Sequence, residues 1–165
     1  MTNKEEILNK IKKTEKYLAN MKKMLEECEY DRWKPKKGKM FYYLNSYNIA
    51  IPETWGADYS DAAHYDIYNC FQTREQAEAE AEKILICRQL EDIARRLNKN
   101  KKIDWDNQER AKYSLGYDNN DKRIYQCANI FTVRQGTVYC LDENFKDIAI
   151  QEIGAERLKK YLRGE

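Results

Sequence analysis

Asp58, Asp61, His64 and Asp66 are the densest group of side chains able to do chemistry in this 165-residue chain. Carboxylates beside an imidazole can bind a divalent cation or move a proton. His64 is the sole histidine, so any histidine chemistry rests on one side chain. The spacing of the four matches no ligand motif, and they read first as part of a solvated loop. Asp118-Asn119-Asn120-Asp121 has the composition of a calcium loop without its closing glutamate, and reads as a hairpin turn. No glycine-rich phosphate loop, nucleophile elbow or metalloprotease motif occurs, and six glycines leave little room for one. Cys28, Cys70, Cys87, Cys127 and Cys140 form no CxxC pair and no zinc spacing, and read as reduced core residues. The expectation is a non-enzyme with no catalytic residue, no metal and no cofactor.

Binding chemistry is better represented. Of 13 tyrosines, Tyr42, Tyr43, Tyr47, Tyr59, Tyr65 and Tyr68 fall within one short stretch with Trp55. Successive strand residues face opposite ways, so Tyr42 and Tyr43 cannot both enter a core. Tyrosine covers a large contact area at little entropy cost, which makes Tyr42, Tyr43, Tyr47 and Trp55 candidate anchors for a partner protein. Glu75, Glu78 and Glu82 share a helix face and would oppose a basic surface. Lys34, Lys36, Lys37 and Lys39, with a second run at Lys99, Lys101 and Lys102, are candidate phosphate contacts.

The formal net charge of +2 conceals an uneven distribution. Residues 1–39 carry 12 basic and 7 acidic side chains, residues 40–96 carry 5 and 10, and residues 97–165 carry 13 and 11. A basic arm on an acidic middle suits docking on a charged partner better than general nucleic-acid binding. No apolar run reaches the roughly 18–20 residues that span a bilayer, and MTNKEEILNK lacks an apolar signal core. The expectation is a cytoplasmic protein with no membrane contact.

Several elements must position these groups. Ile7, Ile11, Thr14, Leu18, Met21, Leu25 and Cys28 are spaced alternately four and three apart, a heptad seam flanked by Lys10, Glu15, Lys22 and Glu29. Too short to stand alone, the seam must lie on the body, fold back as a hairpin partner or pair with another copy, and for that pairing Ile7, Ile11, Leu18, Met21 and Leu25 are the candidate oligomerisation residues of a homodimer. Trp33 to Gly38 is a basic connector broken by Pro35. Met40–Leu44 and Tyr47–Ile51 read as a hairpin turning at Asn45-Ser46 and ended by Pro52, with a third strand at His64–Phe71 after a loop from Glu53 to Ala63. Thr73-Arg74-Glu75-Gln76 is a capping box opening a helix that ends near Leu97, with Ala77, Ala81, Ile84, Leu85, Leu90, Ile93, Ala94 and Leu97 on its apolar side. Strand-like runs follow at Lys112–Tyr117, Arg123–Thr132 and Gly136–Leu141, then a helix from Asn144 to Leu162 with a weak point at Gly154. Trp33 and Trp105, and Cys70 and Cys140, hold matching places in the two halves. The expected fold is α+β: a coiled-coil-like helix over 1–31, then two small antiparallel βββα units over 32–98 and 99–165, related by duplication.

The stretch Trp33-Lys34-Pro35-Lys36-Lys37-Gly38-Lys39-Met40-Phe41-Tyr42-Tyr43, the stretch Tyr68 to Ala77 and the closing Ile148 to Lys160 resemble a group of small accessory proteins of Gram-positive phages and prophages. The resemblance covers about residues 33–160. It implies an antagonist of bacterial immunity, in first place an anti-CRISPR inhibitor in the host cytoplasm that binds an effector nuclease and blocks its DNA binding or activation. Two other readings are a sponge for an immune signalling nucleotide, held in a pocket of tyrosine and lysine, and a small nucleic-acid-binding regulator using the lysine runs.

Overall fold

The stretch 3–28 contains neither glycine nor proline and is rich in Lys, Glu, Leu and Met, all good helix formers. In the computed structural model, which describes residues 3–28, 32–130 and 132–164 and, within the first helix, the side chains of 7–22, it forms α1 (Asn3–Cys28). The chain divides into two compact units, Met1–Lys34 and Pro35–Glu165. In the first, Ile7, Ile11, Leu18 and Met21 are each about half exposed. The side chains of the remaining seam residues Leu25 and Cys28 lie outside the described residues, as does Glu29.

The second unit begins with a hairpin of β1 (Met40–Leu44) and β2 (Ala50–Thr54), antiparallel with Leu44 opposite Ala50. The second strand therefore starts at Ala50, not Tyr47, and runs through Pro52 instead of stopping there. Asn45 causes the shift. Its Oδ1 accepts from the Tyr47 and Ile49 amides at 2.9 and 3.0 Å, and Asn48 takes a left-handed conformation, so residues 45–49 close as a loop. Pro52 is tolerated because its partner Tyr42 directs its own N–H and carbonyl to Phe71, at 2.9 and 2.8 Å. The Tyr42–Pro52 pair thus needs no proline donor.

Of the expected strand His64–Phe71, the start belongs to a helix, α2 (Tyr59–Asp66), residues 67–70 are a turn and its exit, and only Phe71 pairs with β1. Asp58 and Asp61 form a reciprocal capping box that starts the helix inside what read as a loop. The second capping box, Thr73 with Gln76, opens α3 (Arg74–Leu97) where expected. Its buried stripe is Ala77, Ile86, Leu90, Ile93 and Ala94. Leu85, assigned to that stripe from sequence, is 45% exposed, one residue off the buried Ile86.

A second antiparallel hairpin, β3 (Lys112–Asp118) and β4 (Arg123–Asn129), turns where predicted, with Asp118 Oδ1 accepting from the Asn120 and Asp121 amides at 2.8 and 3.2 Å. β4 stops at Asn129 and does not reach Thr132, and the run Gly136–Leu141 contributes only Cys140, which pairs with Tyr113. Each half is thus a two-stranded sheet plus one bridging residue ahead of a closing helix, within an α+β fold. The last helix is split into α4 (Phe145–Ile153) and α5 (Ala155–Arg163) at Gly154, whose φ of 94° only glycine adopts without strain.

α3 joins the halves of this unit. Ala77, with Ala81 and Ile84 beside it, packs on Leu44 and Ala50 of the first hairpin. Ile86, Leu90, Ile93 and Ala94 meet Cys140, Phe145, Ala149, Ile153 and Leu158 in the larger cluster. Arg157 reaches Glu82 and Arg96 reaches Glu152, each at 2.6 Å, tying α3 to α5 and α4. These four side chains are 41–52% exposed, so each pair contributes at most about 1 kcal/mol. Burial, with the Cys87 thiol beside it, pushes the Tyr161 hydroxyl up to about 12. Among the described residues no helix is long and apolar enough to cross a membrane.

Candidate interaction surface

The acidic and imidazole cluster is explained by local structure. Asp61 is only 2% exposed, and its Oδ2 accepts from the Gly56, Ala57 and Asp58 amides at 2.6, 2.7 and 3.4 Å. A carboxylate filling three successive N–H groups is a backbone nest occupied by the chain itself. Asp58 Oδ1 in turn accepts from the Asp61 amide at 3.0 Å. His64 stacks on Tyr43 with ring centroids 4.2 Å apart, and its buried Nδ1 has no hydrogen-bond partner among the described residues. Asp66 is exposed at the end of α2. Among the described residues no group of three or more His, Cys, Asp or Glu is placed to hold a metal ion.

The four candidate anchors separate. Trp55 is 4% exposed and packs edge-on against Phe41 and Tyr65 at 5.5 and 6.4 Å, so it is core and not surface. The cause is the pairing of its backbone: Trp55 donates to the Lys39 carbonyl at 2.9 Å and accepts from Gly38 at 2.8 Å, which folds the indole back onto β1. Tyr42 is half-buried against the Leu44 and Ala77 cluster, and Tyr43 is half-buried under His64. Only Tyr47 stands clear, at 82% exposed.

Tyr47 has neighbours that sequence reasoning passed over. Asn69 donates to the Leu44 carbonyl at 2.7 Å and accepts from the Leu44 amide at 2.8 Å, clamping the end of α2 to the tip of the first hairpin. That clamp ties the segment of Ile67 and Tyr68, 69% and 76% exposed, to the strand end that precedes the loop of Tyr47 and Ile49. Exposed apolar and aromatic side chains thus lie on both segments that the clamp joins, a hairpin-tip rim of the kind that marks contact sites. Tyr68 was visible within the aromatic excess, but its assignment to a strand hid its place at a helix end.

The acidic row is less uniform than its spacing suggests. Glu75 is exposed in the first turn of α3, where its own amide and the Thr73 hydroxyl hold its carboxyl below the usual range. Glu78 pairs with Arg74 at 2.9 Å. Glu82 is half-buried and committed to Arg157, so it is a fastening between α3 and α5 and not part of an open acidic face. Lys36, Lys37 and Lys39 are exposed on the turn before β1, while Lys34, also exposed, closes the first unit.

An open groove of about 560 Å³ lies at the C-terminal end of α3. Arg95, Lys101 and Lys102 supply its cations, and Trp105 and Tyr139, in edge-to-face contact at 4.9 Å, its aromatic wall. Buried Asn98 also lines it, with Oδ1 accepting from the Leu141 amide at 2.7 Å. Lys112, wholly buried, places its ammonium 5.6 Å from the Trp105 ring and donates to the Asn107 carbonyl, which steadies that wall. Burial pushes the Cys140 thiol nearby above its ordinary range. Comparison with protein-family models, with curated proteins and with solved structures finds no match to this chain.

Proposed function

We propose that this protein acts by binding another protein, with the hairpin-tip rim of Tyr47, Ile49, Ile67 and Tyr68 as its contact surface. The observation that carries the reading is the outright exposure of these four side chains beside the Asn69 clamp, since a monomer gains nothing by leaving large aromatic groups in water. The resemblance to phage accessory proteins suggests what the partner is, a bacterial CRISPR effector nuclease whose DNA binding or activation is blocked. Glu75 and Glu78, on the exposed first turns of α3, extend the surface toward a basic channel. In a pull-down with purified type II and type V effectors, the chain should retain one of them and inhibit its cleavage of DNA in proportion to occupancy. Tyr47→Ala with Tyr68→Ala should weaken that binding about a hundredfold. Retention of no effector sinks the partner assignment; retention indifferent to the double substitution sinks the surface.

The groove favours a second reading, sequestration of a signalling nucleotide. Its cations would meet phosphates and its aromatic wall a base. Calorimetry with cyclic oligonucleotides and ADP-ribose should then show stoichiometric binding without any protein partner, abolished by Trp105→Ala. No heat with any of them excludes it.

A further inference from the structure

We infer that α1 pairs with the α1 of a second copy as a parallel, in-register, two-stranded coil. This goes beyond the hairpin-tip reading and does not depend on it. The seam side chains Ile7, Ile11, Leu18 and Met21 are about half exposed on a helix whose described side chains, 7–22, are all exposed. A heptad seam left in water is satisfied most simply by another seam of the same period.

Two features select the second copy and its direction. With Ile7 at position d, Lys10 falls at g and Glu15 at the following e. In a parallel, in-register pair each g residue faces the e residue five positions on in the other strand, so Lys10 of each copy meets Glu15 of the other. The next such pair sets Tyr17 against Lys22, a ring beside an alkyl stem and its ammonium. The second feature is Thr14, the one hydroxyl in the described seam. Parallel strands stack d on d, so Thr14 lies opposite Thr14, and its hydroxyl is already satisfied by the Lys10 carbonyl at 3.0 Å. Antiparallel strands would stack d on a, and every a residue here, Ile11, Leu18 and Leu25, is aliphatic. A polar seam residue matched with itself sets register.

The pairing would place two hairpin-tip rims on one assembly, which raises avidity for a partner with two sites or a repeated surface. At about three and a half heptads the coil is short, so the association is concentration-dependent.

The test uses the full chain. Sedimentation should show twice the chain mass at high concentration, lost in Leu18→Glu, with the circular dichroism of the rest unchanged. In a Cys28→Ser background, Met21→Cys should form a reducible dimer on mild oxidation, while the parent without that substitution should not. Lys10→Glu should weaken dimerisation on the order of tenfold, and the exchange Lys10→Glu with Glu15→Lys should restore it. A monomer at all concentrations overturns the pairing. A dimer that resists oxidation at position 21 and ignores the charge exchange overturns the parallel register while leaving self-association standing. Neither result touches the pull-down.

Discussion

Replacing Phe145 with alanine should cost about 3–5 kcal/mol, the largest loss from any single truncation in the second unit. Phe145 is 0% exposed and opens α4 at the centre of the larger cluster, against Leu90 and Ile93 of α3, Leu158 of α5 and the bridging Cys140. Asn144 gives α4 no side-chain cap, so the entry of that helix is held by the aromatic ring together with Asp142 Oδ1, which accepts from the Asn144 amide at 2.8 Å, and Gln126 Oε1, which accepts from the Lys146 amide at 2.9 Å. The cavity left behind would open among elements that cannot all move inward together. Against a typical stability of about 5–15 kcal/mol the variant would sit near the edge of folding, with a midpoint lowered on the order of 15 °C. Thermal and denaturant unfolding followed by circular dichroism measure it. Leu85→Ala is the control: at 45% exposure it should cost under about 1 kcal/mol. Equal losses in the two variants would mean that the core does not lie between α3 and α4.

Asp61→Ala should cost about 2–3 kcal/mol, more than an ordinary helix cap, because the lost group is a buried carboxylate accepting from three backbone amides. Its removal leaves the Gly56 and Ala57 amides, which donate at 2.6 and 2.7 Å, without their acceptor, and takes away half of the α2 capping box. Asp61→Asn, which keeps one carbonyl oxygen in place, should lose about half as much. Asp66→Ala, exposed on the same helix, should lie within about 0.5 kcal/mol of the parent. The effect reaches the proposed contact surface, since α2 carries Ile67 and Tyr68 at its end and His64 against Tyr43. Partner binding should therefore fall in Asp61→Ala at temperatures where the core is still folded. An Asp61→Ala variant as stable as Asp66→Ala would show that the loop does not need this carboxylate.

The elements read correctly from sequence share one property: their signals lie within about four residues. Thr73 and Gln76 announce α3, Asp118 builds its own turn, Gly154 divides the last helix, and a stretch without glycine or proline carries α1. The elements read wrongly had two local signals in competition. From His64 to Phe71 the residues alternate as in a strand, yet Asp58 and Asp61 cap a helix across the first part of that stretch, and the helix prevailed. The capping pair was present in the sequence but used aspartate where glutamate or glutamine is usual. Likewise Tyr47 and Ile49 suit a strand, but the Asn45 side chain bonds both amides and holds them in a loop. The third strand of each half shrank to one bridging residue, Phe71 or Cys140, because the segments leading to them were taken up by α2 or left the sheet after Asn129.

The candidate site was legible as a composition and not as a place. Tyrosine content, the heptad seam and the charged runs were all evident along the chain, and together they favoured binding over catalysis. Which aromatics face outward was not evident, because Trp55 and Tyr47 are both large aromatic side chains in sequence and only the fold sets Trp55 against Phe41 and Tyr65. The same holds for Glu82, whose partner Arg157 is 75 residues distant, and for the rim that Asn69 and Leu44 assemble across 25 residues. By itself, then, the sequence determined α1, α3 with its cap, the turn at Asp118, the break at Gly154 and the period of the N-terminal seam, since each follows from hydrogen bonds and side-chain spacing within a turn or two of backbone. Tertiary structure alone decided which tyrosines are surface, which carboxylates are occupied and where the groove lies, because burial and pairing there depend on residues brought together only when the whole unit closes.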